Sequence, residues 1–159
     1  YPDDPYDRLW FNFTDYASLG LSALRRSSDP SSNLADRPPA AVLRQAITPS
    51  STLASNMTVP NLITSMLPVP HYVTFYFVEM LANASRSFDI YLDDQQLYSK
   101  TIVIDETVLE FLHPNISLST SSVFSLVRAK GSTLPPLISA AEFYQIGGVW
   151  GAAATDSSD

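Results

Sequence analysis

The sequence contains no cysteine. That excludes disulfide staples, thiolate catalysis and metal sites built on sulfur. It does not exclude an oxidising compartment, because a chain of 159 residues buries enough apolar surface to fold without a covalent staple. Glycine is scarce, 5 in all, and no Gly-rich phosphate loop occurs. The two histidines, His71 and His113, have no H-x-x-x-H or H-E-x-x-H partner, so no histidine metal frame is present. There is no G-x-S-x-G elbow to frame a serine nucleophile. Charged residues make up only 16%, and 9 basic residues face 16 acidic ones, for a net charge of −7. A protein that reads phosphate backbones needs clustered Lys and Arg, so nucleic acid is excluded as a partner. No apolar run approaches the roughly 18 residues that cross a bilayer, so the chain holds no membrane segment. The opening Tyr1-Pro2-Asp3-Asp4 is not a signal peptide, and a mature or trimmed piece is expected. Together these absences leave no catalytic or cofactor site, and the chain reads as a binding module, not an enzyme.

Hydrophobic residues make up 45%, which is globular composition. The compartment signal lies in the asparagines. The acceptor pattern Asn-x-Ser/Thr occurs at Asn12, Asn56, Asn83 and Asn115, four of the six asparagines, where chance gives ~1. N-linked glycans and an extracellular or cell-surface location are expected. At least two of Asn56, Asn83 and Asn115 are expected to carry sugar, because each falls in a predicted loop or hairpin; Asn12 sits in an apolar stretch.

Twelve prolines and many Ser, Thr and Asp cut the chain into short pieces. Several pieces alternate with period two, which is the strand signature. In His71 to Leu81 both faces are apolar, so a central strand covered on both sides is expected. Ser87 to Leu92 follows after a short link and reads as its hairpin partner. Further predicted strands are Leu9–Phe13, Ala41–Ile47, Thr101–Ile104, Val108–Leu112, Ile116–Ser119, Val123–Arg128 and Leu137–Ile146. Ser27 to Pro39 reads as an exposed connection, and Pro49 to Pro70 as a long loop with a short strand or helical turn near Leu62–Leu67. The fold class is all-β, a β-sandwich or jelly roll. Residues 1–146 form one lobe, and 147–159 read as a tail or linker. Phe75, Phe77, Phe88, Ile90, Leu126 and Phe143 are its expected core, with Trp10 beside them.

Two groups carry the candidate chemistry. Asp3, Asp4 and Asp7 surround Arg8, and a carboxylate beside a guanidinium locks a loop by bidentate hydrogen bonds. Tyr72, Tyr76 and Tyr91 are expected to share a sheet face, either packed or offered to a ligand such as a sugar. Asp93-Asp94 reads as a hairpin turn.

Four ordered blocks resemble the malectin-like regions of plant cell-surface proteins: Tyr1 to Trp10, Pro39 to Pro49, Tyr76 to Met80 with Arg86 to Leu92, and Ser132 to Tyr144. They correspond to the second of the family's two tandem lobes. The resemblance implies a β-sandwich outside the cell, ahead of leucine-rich repeats or a kinase. It implies three partners, another malectin-like lobe, a peptide or protein ectodomain, or an oligosaccharide, and leaves open a purely structural lobe of a secreted glycoprotein assembly. Glu79 and Arg86 fall in one block and are expected to pair across the hairpin; Trp10 is expected to anchor the core. Tyr76 stands where the family usually has His, and Asp94 where it usually has Gly.

Overall fold

The computed structural model describes residues 4–6, 8–10, 13–30, 34–59, 63–105 and 107–147. Its elements in chain order are β1 (Leu21–Arg25), a one-turn helix α1 (Ala40–Leu43), β2 (Gln45–Pro49), β3 (Asn56–Val59), β4 (Val69–Val78), β5 (Arg86–Leu92), β6 (Gln95–Gln96), β7 (Ile102–Ile104), β8 (Val108–Leu118), β9 (Phe124–Arg128) and β10 (Ala140–Gln145). All pairings are antiparallel. One sheet runs β10-β4-β8; the other runs β3-β9-β5-β6, with β7 also on β5. β1 and β2 form a separate ribbon, tied to the rest by the mutual backbone bonds of Ile47 and Ile138.

The two sheets face each other through aromatic side chains. Phe75 meets Phe124 edge-on at 5.1 Å, and Phe77 meets Phe88 at 5.1 Å. Phe75, Phe77, Phe88, Ile90 and Leu126 are all buried, and each contributes on the order of 2 kcal/mol by leaving water. Phe143 and Trp10 are partly buried and pack against this core. β4 is central in its sheet and covered on both faces: Tyr76 and Thr74 on the outer face are as buried as Phe75 and Phe77 on the inner one.

The expected hairpin between His71–Leu81 and Ser87–Leu92 does not exist. β4 and β5 belong to different sheets, and the link between them is an arch across the sandwich. Period-two alternation looks the same in both arrangements, because each strand turns one apolar face to the core either way. The predicted strand Ala41–Ile47 begins as α1 and becomes extended only at Gln45. Leu137–Ile146 becomes a strand at Ala140. Val108–Leu112 and Ile116–Ser119 are one strand, β8, running through Pro114. That is tolerated because β8 is an edge and the ladder slips by one residue there, between His71 and Val73 of β4. β1 and β3 were not expected. Of Leu9–Phe13, the described residues Leu9, Trp10 and Phe13 are irregular. Residues 63–67 hold neither strand nor helix. The connection Ser27 to Pro39 is less exposed than expected: Pro30, Pro38 and Pro39 are buried.

Candidate functional site

The first turn of the chain is clamped to the outer face of the β10-β4-β8 sheet. Arg8 donates from Nε to both oxygens of Asp4 at 3.2 and 3.0 Å, from Nη1 to Glu142 at 2.7 Å and from Nη2 to the Arg37 carbonyl at 3.0 Å. Its guanidinium lies over the rings of Tyr6 and Trp10. Trp10 Nε1 donates to Asp4 at 2.5 Å, and Tyr76 donates its hydroxyl to Glu142 at 2.7 Å. Burial alone pushes the Asp4 carboxyl up. Hydrogen bonds from Trp10, Arg8 and the Tyr6 amide outweigh that, and its pKa falls below the ordinary value. Every strong donor here has an acceptor, so the group holds structure together and leaves little for a ligand.

Beside it, residues 34–37 strap the same sheet face. Asp36 accepts from the Tyr72 hydroxyl at 2.9 Å and from Thr74 at 3.3 Å. Glu110 of β8 accepts from the amides of Ala35 and Asp36. Tyr144 of β10 is 45% exposed and touches the Tyr72 ring at 6.3 Å. Burial, reinforced by Glu142, pushes its phenol up to about 12.

Along β10 lies a half-open cleft of about 660 Å³, and Arg8, Trp10 and Glu142 of the clamp form part of its lining. Its apolar lining includes Phe13, Tyr16, Val42, Ile47, Val59 and Ile63, and its polar lining includes Arg25, Gln45, Thr64 and Gln145. The residues of β10 from Ala140 to Gln145 form one wall.

The three tyrosines proposed from sequence do not gather. Tyr76 is fully buried, 0% exposed, with its hydroxyl bound to Glu142, so it has no surface to offer a ligand. Tyr91 alternates with the buried Phe88 and Ile90 on β5 and so faces out of the opposite sheet from Tyr72. The three were grouped by their period-two spacing; once β4 and β5 separate into two sheets, their outward faces point away from each other. Tyr72 instead pairs with Tyr144, whose signal in the sequence was only its place in an aromatic run. Glu79 and Arg86 do pair, with both side chains buried, across the arch and not across a hairpin. Asp4 holds Arg8; Asp3, Asp7 and Asn12 lie outside the described residues. Asn56, Asn83 and Asn115 are all exposed. Asn56 opens β3 and Asn115 lies in β8; both are strand positions, not the expected loops, but both strands are sheet edges.

The malectin-like domain family matches residues 1–146. The chain belongs to the malectin-like family. It is 35% identical to a probable LRR receptor-like serine/threonine-protein kinase of Arabidopsis thaliana, over 92% of this chain and 16% of that protein. The malectin-like chain thus spans about a sixth of that relative's length. In fold it is similar to the ANXUR1 extracellular domain of the same plant, with a TM-score of 0.60 at 15% identity over 82% of this chain and 39% of that one. The ANX2 ectodomain gives 0.59 at 15% identity, over 86% and 42%. The β-sandwich expected from sequence is therefore the observed fold, and it is shared with plant ectodomains.

Proposed function

We propose that this chain is a non-catalytic binding lobe in the extracellular part of a plant receptor-like protein, and that it recognises a peptide or a partner ectodomain. The observation that carries this reading is the cleft beside β10, within a chain whose residues 1–146 match the malectin-like family. Clefts of this size with mostly apolar walls and a few polar groups are ordinary ligand sites. The carboxylates nearby support binding over catalysis: Asp4 and Glu142 are both committed to Arg8. The lobe would sit beside another malectin-like lobe, as the order of its sequence blocks suggests.

A second reading rests on the Tyr72–Tyr144 pair. Two tilted rings, one 45% exposed, with Asp36 alongside, offer a stacking face and an acceptor for an oligosaccharide.

The test uses the complete secreted ectodomain against a panel of partner ectodomains, peptides and cell-wall oligosaccharides. Saturable binding to a protein or peptide, lost when residues 1–147 are deleted, supports the first reading. Binding to oligosaccharides alone, lost in Tyr144→Ala, puts the second in its place. Accumulation of the complete product in the cytosol without glycans overturns both.

A further inference from the structure

β10 has β4 on one side and, among the described residues, no strand on the other. Its register runs from Ala140 opposite Tyr76 to Gln145 opposite His71. Ile146 donates its amide to the Pro70 carbonyl at 2.8 Å in the same register. In an antiparallel pair the bonded positions alternate. Tyr144, Glu142 and Ala140 therefore turn their backbone groups to β4, while Ala141, Phe143 and Gln145 turn theirs away. Among the described residues, no hydrogen bond reaches those outward groups. β2 takes up the neighbouring edge at Ile138 through its bridge to Ile47, but goes no further, because the chain preceding Gln45 is already coiled into α1.

An open strand edge is a liability that proteins usually cover, charge or shorten. Here it lies along the wall of the cleft, flanked by the apolar side chains of Phe13, Val59 and Ile63. From Ala141 to Gln145 the edge runs roughly 14 Å at strand rise, a span that an extended segment of about five residues would match. The cleft also holds a cation with no counter-ion. Arg8 is balanced by Asp4 and Glu142, but Arg25 is exposed and makes no ion pair among the described residues.

We propose that the outer edge of β10 is a docking site for an extended peptide strand, which pairs its backbone with Ala141, Phe143 and Gln145 and sets a carboxylate against Arg25. The inference rests on the binding-lobe reading and gives it a mode of recognition. Main-chain bonds supply affinity, and alternate side chains of the guest enter the apolar lining.

The test follows amide exchange by NMR in this lobe, with an acetylated Glu-Val-Thr-Val-Thr-Val amide as probe. In the free protein the amides of Ala141, Phe143 and Gln145 exchange fast, while those of Glu142 and Tyr144 are protected. The probe slows the three outward amides by about tenfold or more. Arg25→Gln weakens the acidic probe but not its Gln-for-Glu counterpart. Gln145→Pro removes one outward donor, at a position where an edge tolerates proline; it melts near the wild type and loses the probe. Outward amides already protected in the free protein, whether by the chain itself or by a second copy, overturn the proposal. So does a probe that leaves their exchange unchanged, or one that binds as well after its backbone is N-methylated. A complete ectodomain carrying Gln145→Pro that keeps its protein partner sinks strand docking and leaves the receptor-lobe reading standing.

Discussion

Arg86 and Glu79 meet through two parallel hydrogen bonds where the chain arches from one sheet to the other: Nε to Oε2 at 2.7 Å and Nη2 to Oε1 at 2.8 Å. The guanidinium also donates to the Pro135 carbonyl, and Glu79 Oε1 also accepts from the amides of Met80 and Leu81. The pair thus ties together the arch, the start of β5 and the approach to β10.

Each residue is 2% exposed, and removing one partner strands a charge in the interior. Glu79→Ala and Arg86→Ala are each expected to cost about 3–5 kcal/mol. The double variant is expected to cost less than the sum, because the second change removes the stranded charge. Arg86→Lys recovers little, since an ammonium cannot span both carboxylate oxygens and Pro135. Urea denaturation of the four variants beside the wild type checks this. Strictly additive losses would mean that the two side chains act independently.

Acid acts on two carboxyls with opposite sign. Burial, aided by nearby Asp36, holds Glu110 above the ordinary value of 4.5, against the pull of the Ala35 and Asp36 amides. A carboxyl with a raised folded pKa takes its proton more readily when folded, so lowering the pH through that pKa relieves a penalty. Asp4 is the reverse: its folded pKa lies below 3.8. Its contribution is present above that value and is lost as the pH falls through the folded pKa. The melting temperature is expected to rise slightly as the pH falls from neutral through the raised pKa of Glu110, then to fall once the pH drops below the ordinary Asp value of 3.8 and Asp4 loses its contribution. Glu110→Gln should flatten the upper limb. Asp4→Asn should flatten the lower limb and lower stability at neutral pH by roughly 1–3 kcal/mol, because it weakens the hold on Arg8.

The β5–β6 turn places two non-glycine residues in the left-handed region, Asp93 at φ 49° and Asp94 at φ 65°. Such two-residue turns favour Asp-Gly. Asp93 earns its place: its side chain accepts from the Val123 amide at 2.7 Å and its own amide donates to the Val123 carbonyl. Asp94 has no such bond among the described residues. Asp94→Gly is expected to stabilise by about 0.5 kcal/mol through relief of the backbone. Asp93→Gly should give no gain, because the side-chain bond to Val123 is lost. Thermal melts of both variants distinguish the two positions; equal shifts would show that the Val123 contact contributes nothing.

The sandwich was legible because its driving force is written locally. Phe75, Phe77, Phe88 and Ile90 sit at alternate positions, and alternation is what a half-buried strand requires. Which strand lies beside which is not local. The arch at Glu79–Arg86 looks like a hairpin until the inner faces of β4 and β5 are seen to meet as Phe77 on Phe88. Pairing Tyr72 with Tyr91 was an error of the same kind. α1 was hidden by the apolar, strand-like run that follows Pro39, and β1 by the lack of strict alternation in Leu21–Arg25. The cleft could not be read at all, because its walls come from segments more than 100 residues apart, such as Phe13 and Phe143.

Glycosylation is the prediction that reaches furthest towards the biology. Attachment needs an accessible Asn and an accessible hydroxyl residue two positions on. Asn56 and Thr58, Asn83 and Ser85, and Asn115 and Ser117 are all exposed. Asn83 sits in the arch with φ 57°, a conformation that Asn adopts readily. Asn115 lies where the β4–β8 ladder slips beside Pro114, on an edge with no outer strand neighbour among the described residues. Asn56 begins β3, the outer strand of the other sheet. None of the three side chains faces the core, so sugars would project outward without disturbing either sheet. Intact mass of protein from its native source, before and after enzymatic removal of N-glycans, is expected to show at least two occupied sites. Replacing each Asn by Gln should remove one glycan mass apiece. At Asn56 and Asn115 the stability of the unglycosylated fold should change by no more than about 0.5 kcal/mol. At Asn83, held at φ 57°, about 1 kcal/mol should be lost, because Gln adopts the left-handed region less readily than Asn. A native mass that glycan removal leaves unchanged would end both the glycan assignment and the extracellular reading built on it.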